Sequence, residues 1–570
     1  MIAPREEPQI MRAHARCLAP ERRRIVAGVL LVLALVLAAA GEARSASASD
    51  PGIPDVVRFL EQSSFGPTDD TIRRALELGI PAYLEEQLSL QISRYDGFSY
   101  VPPNASSFCV AGVNGQVDSI CNRDYYSVFH VQRRLYQNAL TNPDQLRQRV
   151  AWALAQIAVV SASKVRFAYA MARYQQFLLD QAFGNFRDIL LGITLSPMMG
   201  RYLDMVNNDK PDPARGIEPN ENYARELLQL FSIGLYELNP DGTVRRDASG
   251  APIAAYDQDV VEGFAHVFTG WTYPPSPGAA TIRHNPENYD GWMALFPGNH
   301  ATGSKKLLRG VVLPANQSGE KDLADAIDNV FNHPNAGPFI GRQLIQKLVT
   351  SNPSPQYVAR VAQAFADNGA GIRGDMKAVL RAILLDPEAR GDVKQDPGYG
   401  KLKEPAQFAI GLLRALYGSS DGVYLRSAVA GMGEDAFNAA SVFNFYPPDF
   451  PLPGSPSLLG PEFGIQNTTN ALAREAYVER LVMGGPVAAD ATVVGATGTF
   501  VTAGPLPALA TDPAALVGML ELKMIPGGLS AAARSVVVSS VASINENDIV
   551  GRLRRAAYLI CASPQYQVQR

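Results

Sequence analysis

The sequence predicts a mainly α protein, a large multi-helix domain carrying a small β-hairpin insertion. Three observations lead there. Apolar residues recur at helical spacing through most of the chain, strand-like segments are few, and no repeat of fixed period suggests a solenoid. With 570 residues, 47% of them hydrophobic, the chain is long enough to bury a substantial core.

The helices are legible in order. "DPGIPDVVRFLEQSSFGPTDDTIRRALELGIPAYLEEQLS" reads as short helices with Pro and Asp caps. "NPDQLRQRVAWALAQIAVVSASK" is a long amphipathic run, and "ARYQQFLLDQAFGNFRDILLGIT" continues the pattern. Later helices fall at "KDLADAIDNVFNHP", "GPFIGRQLIQKLVTS", "PQYVARVAQAFADNG", "DMKAVLRAILLDPEAR" and "EPAQFAIGLLRALYG". The best strand signal is "GTVRRDASGAPIAAY", two β-prone arms around Ala-Ser-Gly, which makes the hairpin insertion. The Gly-, Ala-, Val- and Thr-rich "GGPVAADATVVGATGTFVTAGPLPALATD" reads as a loop or another small hairpin.

The N-terminus carries an arginine cluster, an apolar run from Ile25 to Ala40, and small residues ending in Ala46-Ser47-Ala48. That is the order of a signal peptide, placed at 1–48, and it leaves 49–570 as a single large domain. An uncleaved anchor is the alternative, but the run falls short of the ~20 residues that span a bilayer comfortably. Arg22-Arg23-Arg24 leaves the twin-arginine and general secretory routes both open. The expected location is periplasmic or secreted, with no stable membrane span after cleavage.

Cysteine use suits an oxidising compartment. "CVAGVNGQVDSIC" reads as a loop closed by a Cys109–Cys121 disulfide, a closure that stabilises by about 3 kcal/mol in the chain-entropy model. Two reduced surface thiols are the alternative. Cys561, in an apolar helical run, reads as a buried free thiol. A net charge of −4 offers no basic face for nucleic acid. No phosphate loop, dinucleotide fingerprint or zinc-finger spacing points to a cofactor, and with six histidines in the chain a multi-histidine metal site is not expected.

Charge and amide groups concentrate in "NENYARELLQLFSIGLYELNPDGT". Asn220 suits an N-cap, Glu221 faces the positive end of the helix dipole, and Glu221 pairs with Arg225 one turn on. Tyr223, Leu227, Leu230 and Phe231 form an apolar stripe, while Asn222, Glu226 and Gln229 form a polar one. Gly234 is placed for a left-handed helix end, and Asn239-Pro240-Asp241-Gly242 for a turn. Capping and surface charge account for this segment taken alone; a polar site on a core helix is the sharper reading. In "YDQDVVEGFAHVFTGWTYP", Asp257 can cap a helix on which Asp259, Glu262 and His266 share one face, spacing that suits a metal or an acid/base pair.

These strings, with "RFLEQSSFGPT", "FIGRQLIQKLVT", "FNFYPPDF" and the terminal "ASPQYQVQR", resemble the bacterial domain-of-unknown-function 1800 family from about Val57 to the C-terminus. The resemblance implies an exported, mainly helical protein with no assigned activity, often encoded beside an exported sulfatase-like protein. Asn220, Glu221, Asn222, Arg225 and Glu226 match the family's first polar motif; Asp259, Thr269, Gly270 and Trp271 match the second. His300, Gly303 and Lys305 match a third, in which Ala301 stands in place of an acid. "AWALAQIAVVSA" lacks the Trp-His-Asn-His string of many relatives. If those residues are catalytic in the family, this member binds without turnover.

The expected site is a pocket for an extracytoplasmic, carbohydrate-like ligand. Glu226, Asp259 and His300 are its candidate catalytic groups; Asn220, Glu221, Asn222, Arg225, Trp271 and Lys305 are its binding groups. The rival expectation is a non-enzymatic scaffold for the sulfatase-like partner.

Overall fold

The computed structural model describes residues 52–111, 116–392, 396 and 398–570. The predicted signal peptide lies outside them. Helices hold 51% of the residues and, among the described residues, every sheet has two strands, so the core is made by helix packing, as the spacing of apolar residues predicts. One continuous apolar cluster runs from Val56 to Tyr566.

The first helices, Ile53–Ser63, Asp69–Leu78 and Ile80–Ser89, form where expected, but their caps differ from the sequence reading. Gly52, Thr68 and Gly79 hold the N-cap positions, and Pro54, Asp69, Asp70 and Pro81 fall inside the first turns. Thr68 and Thr71 satisfy each other's backbone amides, which leaves no capping role for the aspartates.

Neighbouring helices pack pairwise. Gln145–Ile157 lies on Ala168–Gln181, Phe186–Leu195 on Gly319–Phe331, and Ala336–Leu348 on Pro355–Ala366. The C-terminal strand Val568–Gln569 pairs antiparallel with Lys401–Leu402, and Arg58 Nε donates to the Arg570 carbonyl at 2.8 Å, tying the first described helix to the chain's last residues.

The hairpin insertion forms as a ladder of isolated bridges, Tyr236↔Ala254, Leu238↔Val244 and Arg246↔Pro252. The second Gly-rich segment also pairs: Thr499 bridges Val487, and Thr499–Phe500 pairs with Ser419–Ser420. Cys109 and Cys121 are joined in a disulfide, their Cα atoms 5.5 Å apart, beside the small sheet of Val110–Ala111 and Gln116–Val117. Cys561 is free and buried, and burial pushes its thiol well above the ordinary range. Among the described residues, no helix is long and apolar enough to cross a membrane.

Candidate functional site

The Asn-Glu-Asn segment is fixed before its helix begins. Asn208 accepts from the Asn220 amide at 2.8 Å and donates to the Asn220 carbonyl at 3.1 Å. Asn220 Oδ1 in turn accepts from the Asn222 amide at 2.8 Å. Asn220 is therefore locked one residue too early to be the N-cap. Glu221 holds that position and the helix runs Asn222–Glu226.

The chain then continues as a π-helix, Leu227–Ser232, with Ser232 Oγ donating back to the Leu227 carbonyl at 2.6 Å. The wider turn shifts the predicted stripe: Leu228 is buried and Leu230 only partly so. Single π turns inside helices often mark functional positions. Gly234 ends the helix at φ 77°, where a Cβ would sit 2.8 Å from the Phe339 ring.

The helix Gln258–Val267, capped by Asp257 as expected, packs alongside. At the solvent edge Arg225 meets Glu221 at 2.8 Å, and Gln258 Nε2 donates to both Glu221 oxygens at 2.9 and 3.0 Å. Tyr223 turns inward, its hydroxyl 2.6 Å from Thr194 Oγ1.

Glu226 sits between these environments. It is half-buried, and its buried Oε2 has no protein partner. Burial raises its carboxyl above the usual range, against the opposing charge of Arg225. The Tyr256 hydroxyl is also buried without a partner; burial, opposed by Arg225 and aided by the Glu226 charge, pushes it up to about 12. Tyr202 feels the same two influences, burial and Glu226. On this face Asn222, one turn before Glu226, reaches Asp204 at 3.4 Å, and Asp204 pairs with Lys164 at 2.5 Å.

The other two candidate catalytic groups lie elsewhere. The Asp259 side chain is 71% exposed and pairs with Lys306, which Asp257 shares. His300 is 3% exposed. Its Nδ1 donates to the Thr269 carbonyl at 2.9 Å and its Nε2 meets Asp322 at 2.9 Å. Among the described residues, no hydrogen bond or ion pair joins any two of Glu226, Asp259 and His300.

Lys305 is a buried partner of Asp322 at 2.6 Å and donates to the Ala301 and Gly303 carbonyls, so it is not available to a ligand. Trp271 is 5% exposed within a strand paired to Ala294–Leu295, and presents no stacking wall. The Thr-Gly-Trp motif has a packing cause: Gly270 adopts φ 83°, and a Cβ there would lie 2.9 Å from the His300 amide. His266 is half-buried, lowered by burial and then by Lys305, with Glu218, Glu262 and Glu221 opposing. Among the described residues, no group of three or more His, Cys, Asp or Glu side chains could hold a metal.

A second polar centre escaped the sequence reading. Glu404, fully buried, accepts from Arg149 Nη1 at 2.7 Å and Trp152 Nε1 at 3.0 Å on one oxygen, and from Gln156 at 2.7 Å and Tyr446 at 3.3 Å on the other. Burial alone would raise this carboxyl, but Arg149 and Lys401 overcome it and hold it at about 2. Glu434 moves the opposite way, raised well above its usual range by burial and by the Glu404 charge. Lys347 lies 4.6 Å from the Tyr446 ring centre, and burial lowers it to about 8. Two carboxyls driven apart in this way are the arrangement from which acid/base pairs are built. Arg149, Trp152 and Gln156, at i, i+3 and i+7, were the available signal: a polar stripe inside an apolar helix.

Glu434 carries a signed prediction. A carboxyl raised in the folded state contributes stability below its unfolded pKa and loses it as pH rises through the folded one. Its Oε2 accepts from the Ala406 amide at 2.8 Å, a bond that glutamine can keep. Glu434→Gln is therefore expected to melt at or above wild type at pH 8. A variant that melts lower at pH 8 contradicts the assignment.

Comparison with curated proteins and with solved structures returns no match. A family model described as "Protein of unknown function (DUF1800)" matches residues 58–568. That span holds the Asn-Glu-Asn helix, the Thr-Gly-Trp turn and the buried Glu404 centre alike, and the chain belongs to the DUF1800 family.

Proposed function

We propose that this is an exported protein whose Asn222–Glu226 face binds a neutral, polyhydroxylated extracytoplasmic ligand, carbohydrate in class. One observation carries the reading. Glu226 Oε2 and the Tyr256 hydroxyl are buried polar atoms without protein partners, while the other polar side chains of the Asn222–Glu226 helix are bonded. A sugar hydroxyl both donates and accepts, so it suits a carboxyl and a phenol together. A carboxyl raised above its usual range is also the kind that serves as an acid in glycoside hydrolysis. Asp204, held in the left-handed region at φ 60°, supplies a second carboxylate on the same face, the role first given to Asp259. The Cys109–Cys121 disulfide supports the oxidising compartment that export implies.

The test is calorimetry of purified chain against a panel of soluble neutral oligosaccharides, repeated with Glu226→Gln. Losing a hydrogen bond to a charged group weakens binding by about 10- to 100-fold. The variant should not melt lower, because a raised, unpartnered carboxyl does not stabilise the fold at neutral pH. A wild type that binds no member, or a variant that binds as wild type, overturns the reading.

The scaffold reading keeps one supporting observation. Phe108, Val110, Val117, Ile120 and Tyr125 are exposed around the disulfide, and Phe108 packs edge-on to Tyr125 at 5.2 Å. Exposed apolar patches of this kind mark interaction surfaces. A co-encoded sulfatase-like exported protein is the partner this reading names, and co-purification tests it.

A further inference from the structure

Trp292 is the exposed member of the chain's three tryptophans, at 50% against 4% for Trp152 and 5% for Trp271. Its exposure is enforced by its neighbours. Tyr289 is buried beneath Tyr169 and Tyr273, and the Met293 amide donates to the Leu195 carbonyl at 2.9 Å. The chain is thus pinned on both sides of Trp292, whose ring stands edge-on to Phe177 at 5.4 Å. Displaying an indole forgoes the burial that an aromatic ring would contribute to the core.

This ring borders a cleft of about 400 Å³, lined also by Arg173, Asp180, Gln181 and Asp290. That volume lies within the range of about 300–1,000 Å³ typical of small-molecule sites. Arg173 pairs with Asp290 at 3.0 Å across one wall. Asp180 accepts from Gln91, Gln176 and Arg94, and all three bonds fall on Oδ1, which leaves Oδ2 to accept a hydroxyl.

We propose that this cleft is a binding subsite for a neutral oligosaccharide, with Trp292 as the stacking platform and Asp180 and the Arg173–Asp290 pair as hydroxyl partners. The apolar face of a pyranose covers the indole while its equatorial hydroxyls point to the walls. Each carboxylate is matched by a guanidinium, Asp290 by Arg173 and Asp180 by Arg94, so the cleft carries no unpaired charge and suits a neutral sugar. The inference rests on the cleft's own residues and does not require the Glu226 face to bind anything.

Fluorescence of the full chain tests it. With Trp152 and Trp271 buried, quenching by acrylamide reports Trp292. Neutral oligosaccharides, namely cello-, chito-, manno- and xylo-oligomers at millimolar concentration, are expected to shift the emission to the blue and protect it from the quencher. Calorimetry should show that Trp292→Ala weakens this binding at least tenfold without lowering the melting temperature. Asp180→Asn should weaken it while leaving the quenching of free protein unchanged. Glu226→Gln should leave Trp292 protection intact. If no member protects Trp292, or if binding survives Trp292→Ala and is lost in Glu226→Gln, the cleft inference fails; in the second case the Glu226 reading stands.

Discussion

Glu404→Gln is expected to lose about 3–5 kcal/mol of folding stability at neutral pH, the range for breaking a buried ion pair by removing one partner. The carboxylate takes bonds from Arg149 and Trp152 on one oxygen and from Gln156 and Tyr446 on the other. Glutamine offers one oxygen, and its amide must face donors with donors. Arg149 is left buried with neutral acceptors only, the glutamine oxygen where it faces Arg149 and the Lys347 carbonyl at 3.2 Å, and without its counter-ion.

The pH dependence has a definite sign. The folded carboxyl is held at about 2, below an unfolded value near 4.3, so its contribution is full above the unfolded pKa and is lost as pH falls through the folded one. Urea melts should therefore show a gap between wild type and variant that is wide at pH 7 and narrows toward pH 2. A loss under about 1 kcal/mol at pH 7, or a gap that does not narrow, rejects this account.

Much of the fold was readable because its causes are local. Helix periodicity, the turns at Gly234 and Gly242, the Asp257 cap and the 12-residue cysteine spacing all lie within a few turns of chain. The Glu404 centre does not: Arg149 and Glu404 are 255 residues apart, and each alone reads as an ordinary surface charge. The fate of Asp259 was hidden for the same reason. Its helical face was read correctly, but whether that face meets Glu226 or Lys306 depends on a strand 47 residues away. Trp271 and Trp292 show the limit most plainly. The motif drew attention to Trp271, whose setting is explained by Gly270 lying against the His300 backbone, whereas Trp292 carries no motif and is the ring the fold presents.

Asp322→Asn is the second large effect, and it decides what His300 and Lys305 do. Asp322 is fully buried, with Lys305 at 2.6 Å and His300 at 2.9 Å on Oδ2 and Gln317 at 2.9 Å on Oδ1. Together these bonds clasp residues 300–305 onto the helix Gly319–Phe331. Asparagine removes the charge that compensates the Lys305 ammonium and sets its own amide hydrogens against donors on one side or the other. The expected loss is about 3–5 kcal/mol, with faster amide hydrogen exchange over residues 299–306. Replacing both members, Lys305→Met with Asp322→Leu, removes the stranded charge and should recover part of that loss, because a packed apolar pair often matches a buried ionic one. A clasp has no part in ligand contact, so the double variant should bind at the Glu226 face as wild type does. An Asp322→Asn variant that melts like wild type, or a refolded double variant that loses ligand, would show that these residues serve a site instead of holding the loop.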